Sequence, residues 1–192
     1  MSLALTAASA ASVDRLRAAD APLALQAALV VGTALLTALF AQFEVRIYLW
    51  EVPLTLQTVA VYGAGLFLGS RNGALAMLLY LALGLVLPVF AGGASGLAHL
   101  MGASAGYLVA FPLVAAIGGA VTRQRRGFGR SLLALAGCSV ALFTCGVLGL
   151  WLATDLSATE AAVNGWLRFV PWDLTKIALV GSLYAIARRA TT

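Results

Sequence analysis

Lys176 is the only lysine in the chain, and it lies within Trp172-Asp-Leu-Thr-Lys-Ile-Ala-Leu-Val180, at the start of an apolar stretch. Asp173 stands three residues earlier, so on a helix the two side chains share a face. A charged side chain inside a bilayer costs roughly 2.5–3.5 kcal/mol when central and less near an interface. Three roles would justify it: a neutralising ion pair, a lysine snorkelling to the surface, or a binding group facing the interior of a helix bundle. Trp166, Phe169 and Trp172 mark an outer boundary several residues before Lys176, which favours the last role. An acid that accepts N–H bonds beside an ammonium that donates them suits capture of a small polar molecule. The same pair would serve an intramembrane enzyme.

Two further clusters carry polar chemistry. Val52-Pro-Leu-Thr-Leu-Gln-Thr58 offers Gln57, an amide that needs partners when buried, beside Thr55 and Thr58, whose hydroxyls can also bond back to helix carbonyls. Leu87-Pro-Val-Phe-Ala-Gly-Gly-Ala-Ser-Gly-Leu-Ala-His99 opens with a proline that ends a helix. Gly92, Gly93 and Gly96 then permit positive-φ backbone. This loop is either an extracellular connector or a lid over a substrate, and Gly92, Gly93 and Ser95 are its candidate contacts. His99 is the sole histidine, so a histidine-rich metal site is excluded and an interfacial place is expected. Cys138 and Cys145 read as small buried hydrophobes, and no metal or cofactor is expected. No G-x-x-x-x-G-K-[ST] loop, H-E-x-x-H or G-x-S-x-G is present, which argues against nucleotide hydrolysis by that route and against the common hydrolases.

These residues need elements to hold them. The 192 residues are 62% hydrophobic and 10% charged, against about 25% charged in soluble domains. Leu23–Phe43, Val52–Ser70, Asn72–Thr122 and Ser131–Thr154 contain no charged residue. About 20 apolar residues cross the hydrocarbon, and Asn72–Thr122 has room for two crossings. The expected spans are Leu23–Phe43, Pro53–Gly69, Asn72–Phe90, His99–Val121, Ser131–Ala153 and Trp166–Ala187. The fold class is therefore an all-α membrane protein of six transmembrane helices: a tail at 1–21 and one six-helix domain at 22–192. One side receives Arg15, Arg17, Arg71, Arg123, Arg125, Arg126, Arg130, Arg188 and Arg189, and the other only Arg46 and Arg168. The positive-inside rule then makes both termini cytosolic. The net charge of +5 is met by lipid headgroups and calls for no nucleic acid. Ala34 and Ala38, or alternatively Ala24 and Ala28, have the small-x-x-x-small spacing that lets helix backbones approach.

Taken in order, these clusters resemble the BioY family, the biotin-binding S components of energy-coupling factor (ECF) transporters. The resemblance runs through Ala41-Gln42, Val52–Thr58, Gly65-Leu-Phe-Leu-Gly69, Leu87–Gly93, Gly106-Tyr107, Phe111-Pro112 and Asp173-Leu-Thr-Lys176. Where the family has a G-P-T-G-G-Y-like run, this chain reads Gly102-Ala-Ser-Ala-Gly-Tyr107. The resemblance implies an S-component bundle in a bacterial cytoplasmic membrane, with biotin as transported ligand and no enzymatic activity. Another small vitamin is the alternative cargo. It also implies a transmembrane coupling (T) subunit and two ATPase subunits as partners, docked on Ala34 and Ala38 with Ala24 and Ala28 as second choice. Asp173 would accept the ureido N–H bonds, Lys176 would donate to the ureido oxygen or the carboxylate, and Phe90, Tyr80 or Tyr107 would supply an apolar wall.

Overall fold

The charge-free segments fold as helices because, away from water, a helix satisfies every backbone group within its own segment. The computed structural model describes residues 17, 21–47, 51–123 and 127–189. Arg15, Arg125 and Arg126 lie outside the described residues, as does most of the expected tail. Helix α1 (Leu23–Gln42) leads into a two-residue antiparallel ladder, β1 (Glu44–Val45) with β2 (Leu54–Thr55). Then come α2 (Gln57–Gly63), a π-helical turn at Ala64–Leu68 and α3 (Gly69–Gly84). A short turn at Ala91–Gly93 and α4 (Leu97–Leu100) lead to α5 (Ala105–Val121) and α6 (Phe128–Ala153). The chain closes with α7 (Ala158–Gly165), a turn at Leu167–Phe169 and α8 (Val170–Arg189).

Among the described residues, four segments are long and apolar enough to cross a membrane: Leu23–Gln42, Gln57–Gly84, Phe128–Ala153 and Ala158–Arg188. Ala105–Val121 is apolar but shorter. The second segment is not one straight rod. Gln57 and Tyr80 are 23 residues apart, yet Gln57 Nε2 donates to the Tyr80 hydroxyl at 2.7 Å. A continuous helix would separate them by about 34 Å. The chain therefore doubles back, and it does so at Gly69, whose φ of 79° is open chiefly to glycine. This hairpin brings Gln57 and Tyr80 to one end of the bundle.

Of the boundaries that differ from the sequence expectation, three bear on the cavity end. Helix α3 stops at Gly84 rather than Phe90, a few residues before the helix-breaking Pro88, and the Phe90 ring folds back into the space a side chain at Gly84 would fill. Helix α5 begins at Ala105 rather than His99, the intervening residues forming α4 and a turn. Thr55 sits on β2, outside the helix that Gln57 opens. Arg17 ties the opposite end together: its guanidinium donates to Gly119 O, to the Thr122 hydroxyl and to the Tyr184 hydroxyl.

Close helix approach rests on bare glycine backbone. A Cβ at Gly106 would stand 2.1 Å from the Cys145 carbonyl oxygen, so α5 and α6 cross there in backbone contact. Gly137 on α6 has nothing within 4 Å of such a Cβ. Gly106→Ala should thus lower the melting temperature in detergent by several degrees, overpacking costing about 1–3 kcal/mol. Gly137→Ala should hold or raise it, since alanine favours the helix by about 1 kcal/mol.

Candidate ligand-binding site

Lys176 projects from the first turns of α8 toward the β ladder and donates to the Thr55 carbonyl oxygen at 2.6 Å. It lines a cavity of about 570 Å³, mouth included, at the end of the bundle that carries the ladder. Thr55, Gln57 and Thr58 border the cavity beside it. His99 and Ser104 add polar groups from the α3–α5 connection. The remaining wall is largely aromatic, from Tyr107 and Phe111 on α5, Phe143 on α6 and Phe169 before α8. Phe143 is the hub of that wall, with Trp166 stacked on it at 6.0 Å, Tyr107 meeting it edge-on and Phe169 tilted against it.

The polar groups are held in relay. The Thr55 hydroxyl donates to Gln57 Oε1 at 2.8 Å, Gln57 Nε2 donates to the Tyr80 hydroxyl, and Tyr80 donates to Val89 O. The chain of bonds fixes the Gln57 amide beside the cavity and ties the Pro88–Gly96 loop to it. Tyr107 is fixed by a bond from its hydroxyl to Gly165 O, which holds α7 against α5. Among the described residues, Thr58 Oγ1 is buried without a hydrogen-bond partner. A buried hydroxyl left unmatched is costly, and this one belongs to a residue that borders the cavity.

Of the residues singled out in the sequence, the structure brings Thr55, Gln57, Tyr107 and Lys176 together on the cavity wall. Tyr80 lies behind Gln57, and Phe90 behind Tyr80 at 5.6 Å. Gly92 lies under the Glu44–Arg46 ion pair, where a Cβ would stand 2.6 Å from the guanidinium. Neither Gly92, Gly93 nor Ser95 is on the cavity wall, although their neighbour Ala91 is. Asp173 is not on it either. Its carboxylate is buried and accepts from the Tyr62 hydroxyl at 2.8 Å and the Ser139 hydroxyl at 2.5 Å. Asp173 and Lys176 form no ion pair: the lysine reaches to β2 and the aspartate to α2 and α6.

The sequence profile of the BioY family matches residues 8–192. The chain belongs to the BioY family. A BioY protein of Pyrococcus horikoshii is 41% identical over 74% of this chain and 83% of its own length. Relatives named biotin transporter BioY in Rhodobacter capsulatus and Rhizobium etli are each 36% identical, over 68% and 77% of this chain and 75% and 88% of their own lengths. The crystal structure of the S-component for biotin from an ECF-type ABC transporter superposes with a TM-score of 0.75 at 24% identity, covering 85% of this chain and 89% of that one. At that identity the superposition shows the fold alone: this BioY-family chain is a multi-pass helical membrane protein with the same fold as that structure.

Several residues of this BioY cavity escape a reading of the sequence. Ser104 lies inside the Gly102–Tyr107 run without standing out, and Thr58, read as a hydroxyl that can bond back to its own helix, borders the cavity instead. Phe143 carries no signal in a chain so rich in apolar residues, and Phe169, read only as a boundary marker, turns out to line the cavity. His99, expected at an interface, stacks on Phe90 at 5.1 Å and faces the cavity. Burial, and then the Arg46 guanidinium, hold its imidazole below the ordinary value, with Glu44 pulling the other way. The fold thus favours neutral His99, and that contribution is present above the ordinary imidazole value and lost as pH falls through the lowered one.

The Asp173 carboxylate ties α8 to α2 and α6. Tyr62→Phe removes one of its two donors and should destabilise the protein by about 1–3 kcal/mol. The check is the melting temperature of Tyr62→Phe against wild type in the same detergent.

Proposed function

We propose that this chain captures biotin and serves its uptake across a bacterial cytoplasmic membrane as the substrate-specific S component of an ECF transporter. Family membership and the fold support the reading, and the cavity carries it. Among the described residues its wall holds one cation, Lys176, and the partnerless hydroxyl of Thr58 belongs to a residue beside it, among aromatic rings. Biotin offers a single negative charge, a ureido group with two N–H donors and one strong acceptor, and an apolar ring and chain. We assign the carboxylate to Lys176, the ureido group to Gln57 and Thr58, and the apolar body to Tyr107, Phe111, Phe143 and Phe169. Asp173 acts from behind the wall by fixing α2, α6 and α8 around the cavity.

In this reading α1, the two arms of the hairpin at Gly69, α5, α6 and α8 make six crossings within one domain at 22–192. The arginine-rich end, where Arg17 binds, faces the cytosol and the cavity faces outward. Uptake draws its energy from a T subunit and two ATPase subunits. The docking stripe for the T subunit follows from packing. Ala34 and Ala38 are buried in the protein's own core, at 0% and 9% exposure, so the first-choice pair offers no free surface. Ala24, Ala28 and Gly32 are exposed at four-residue spacing on α1, and a Cβ at Gly32 meets nothing within 4 Å. That stripe is the one a partner helix approaches.

Lys176→Ala should weaken biotin binding about 30-fold or more, a contact of this kind being worth roughly 2–5 kcal/mol. Titration calorimetry on folded protein reads this directly, and wild-type affinity in the variant would remove Lys176 from the site. Ala28→Trp or Gly32→Trp should abolish co-purification with the T subunit while biotin affinity in detergent stays unchanged. Assembly that survives both changes overturns the docking assignment.

A further inference from the structure

Outside Lys176 lies a second chamber of about 960 Å³, its open side included. It shares two lining residues with the inner cavity, Thr55 and Lys176. The bond from Lys176 Nζ to the Thr55 carbonyl oxygen is thus part of the partition between the two spaces. Beyond it the chamber is lined mainly by exposed apolar side chains, Val45, Ile47, Leu56 and Trp172 among them, with Gln42 and Glu44 adding polar groups.

From this geometry we propose that the site also takes biotin joined through its carboxyl group to an amine, with the added chain lodged in the outer chamber. The proposal rests on the biotin reading above. Among the described residues Lys176 is the only cation lining either space, so a carboxylate held by it sits at the partition while the rings fill the inner cavity. An amide at that carbon keeps a carbonyl oxygen for Lys176 to bond. Its nitrogen substituent then has one open direction, outward past Thr55, because the inner cavity is filled by the rest of the ligand. The amide loses the charge assistance that makes the carboxylate contact roughly twice as strong. Apolar contact in the chamber regains affinity as the chain lengthens.

The experiment is titration calorimetry on the full chain with biotin and its N-methyl, N-propyl and N-pentyl amides. The methylamide should bind more weakly than biotin, and each further methylene should then tighten binding by about fourfold. Val45→Trp and Ile47→Trp fill the chamber and should flatten that dependence while leaving biotin affinity unchanged. Trp172→Ala, which strips one wall, should reduce the gain per methylene. A flat or falling series on wild type overturns the proposal. So does an equal slope in the filled variants, which is what partition of the chains into detergent or contact with lipid alone would give. Wild type that binds no biotin overturns the functional reading and this proposal with it, whereas biotin binding beside a flat amide series overturns the chamber alone.

Discussion

A polar group buried among helices in an apolar bundle must find its partner inside the protein, because no water or lipid tail supplies one. Asp173 shows how far that constraint shapes this fold. Its two oxygens are matched by hydroxyls from α2 and α6, so three helices meet at one carboxylate. The same demand turns Gln57 toward Tyr80 and Tyr107 toward Gly165, and each bond pins a part of the cavity wall. Among the described residues, Thr58 Oγ1 is the buried side-chain oxygen that the constraint leaves over. The arrangement at the cavity is therefore mostly settled in advance, with one hydroxyl still open to a partner.

Much of this was legible in the sequence, for reasons tied to cost. A lone lysine in an apolar segment is expensive enough to advertise a role, and Lys176 does line the cavity. Gly69 stood at the end of an expected span, and it is where the chain reverses. Other features needed tertiary packing. Asp173 shares a helix face with Lys176 by spacing, but nothing in the spacing says that Tyr62 and Ser139 already claim its oxygens. The four-residue pattern of small residues occurs twice on α1, and only the neighbours decide which copy is covered. Ala34 is buried against the core while Ala28 is exposed. Phe143 was invisible because one more phenylalanine in an apolar helix says nothing about which way it faces.

The two ends of the bundle are built on different principles. At the Arg17 end, a single guanidinium gathers the end of α5 and the hydroxyl of Tyr184 on α8. At the cavity end, the elements are short and joined by side-chain relays: a two-residue ladder, α4 and two tight turns. Backbone bonds such as Gly96 N–H to Gly84 O and Phe90 N–H to Ala94 O, together with those relays, hold these short pieces in place.

Lys176 reaches the main chain of residue 55, not its side chain. The lysine is therefore indifferent to which amino acid stands there, and genetic drift at that codon would not cut this contact. What the codon does govern is the hydroxyl on Gln57. Two neighbouring features of one residue are thus exposed to separate evolutionary pressures, so a lineage can retune the amide while inheriting the lysine's grip intact.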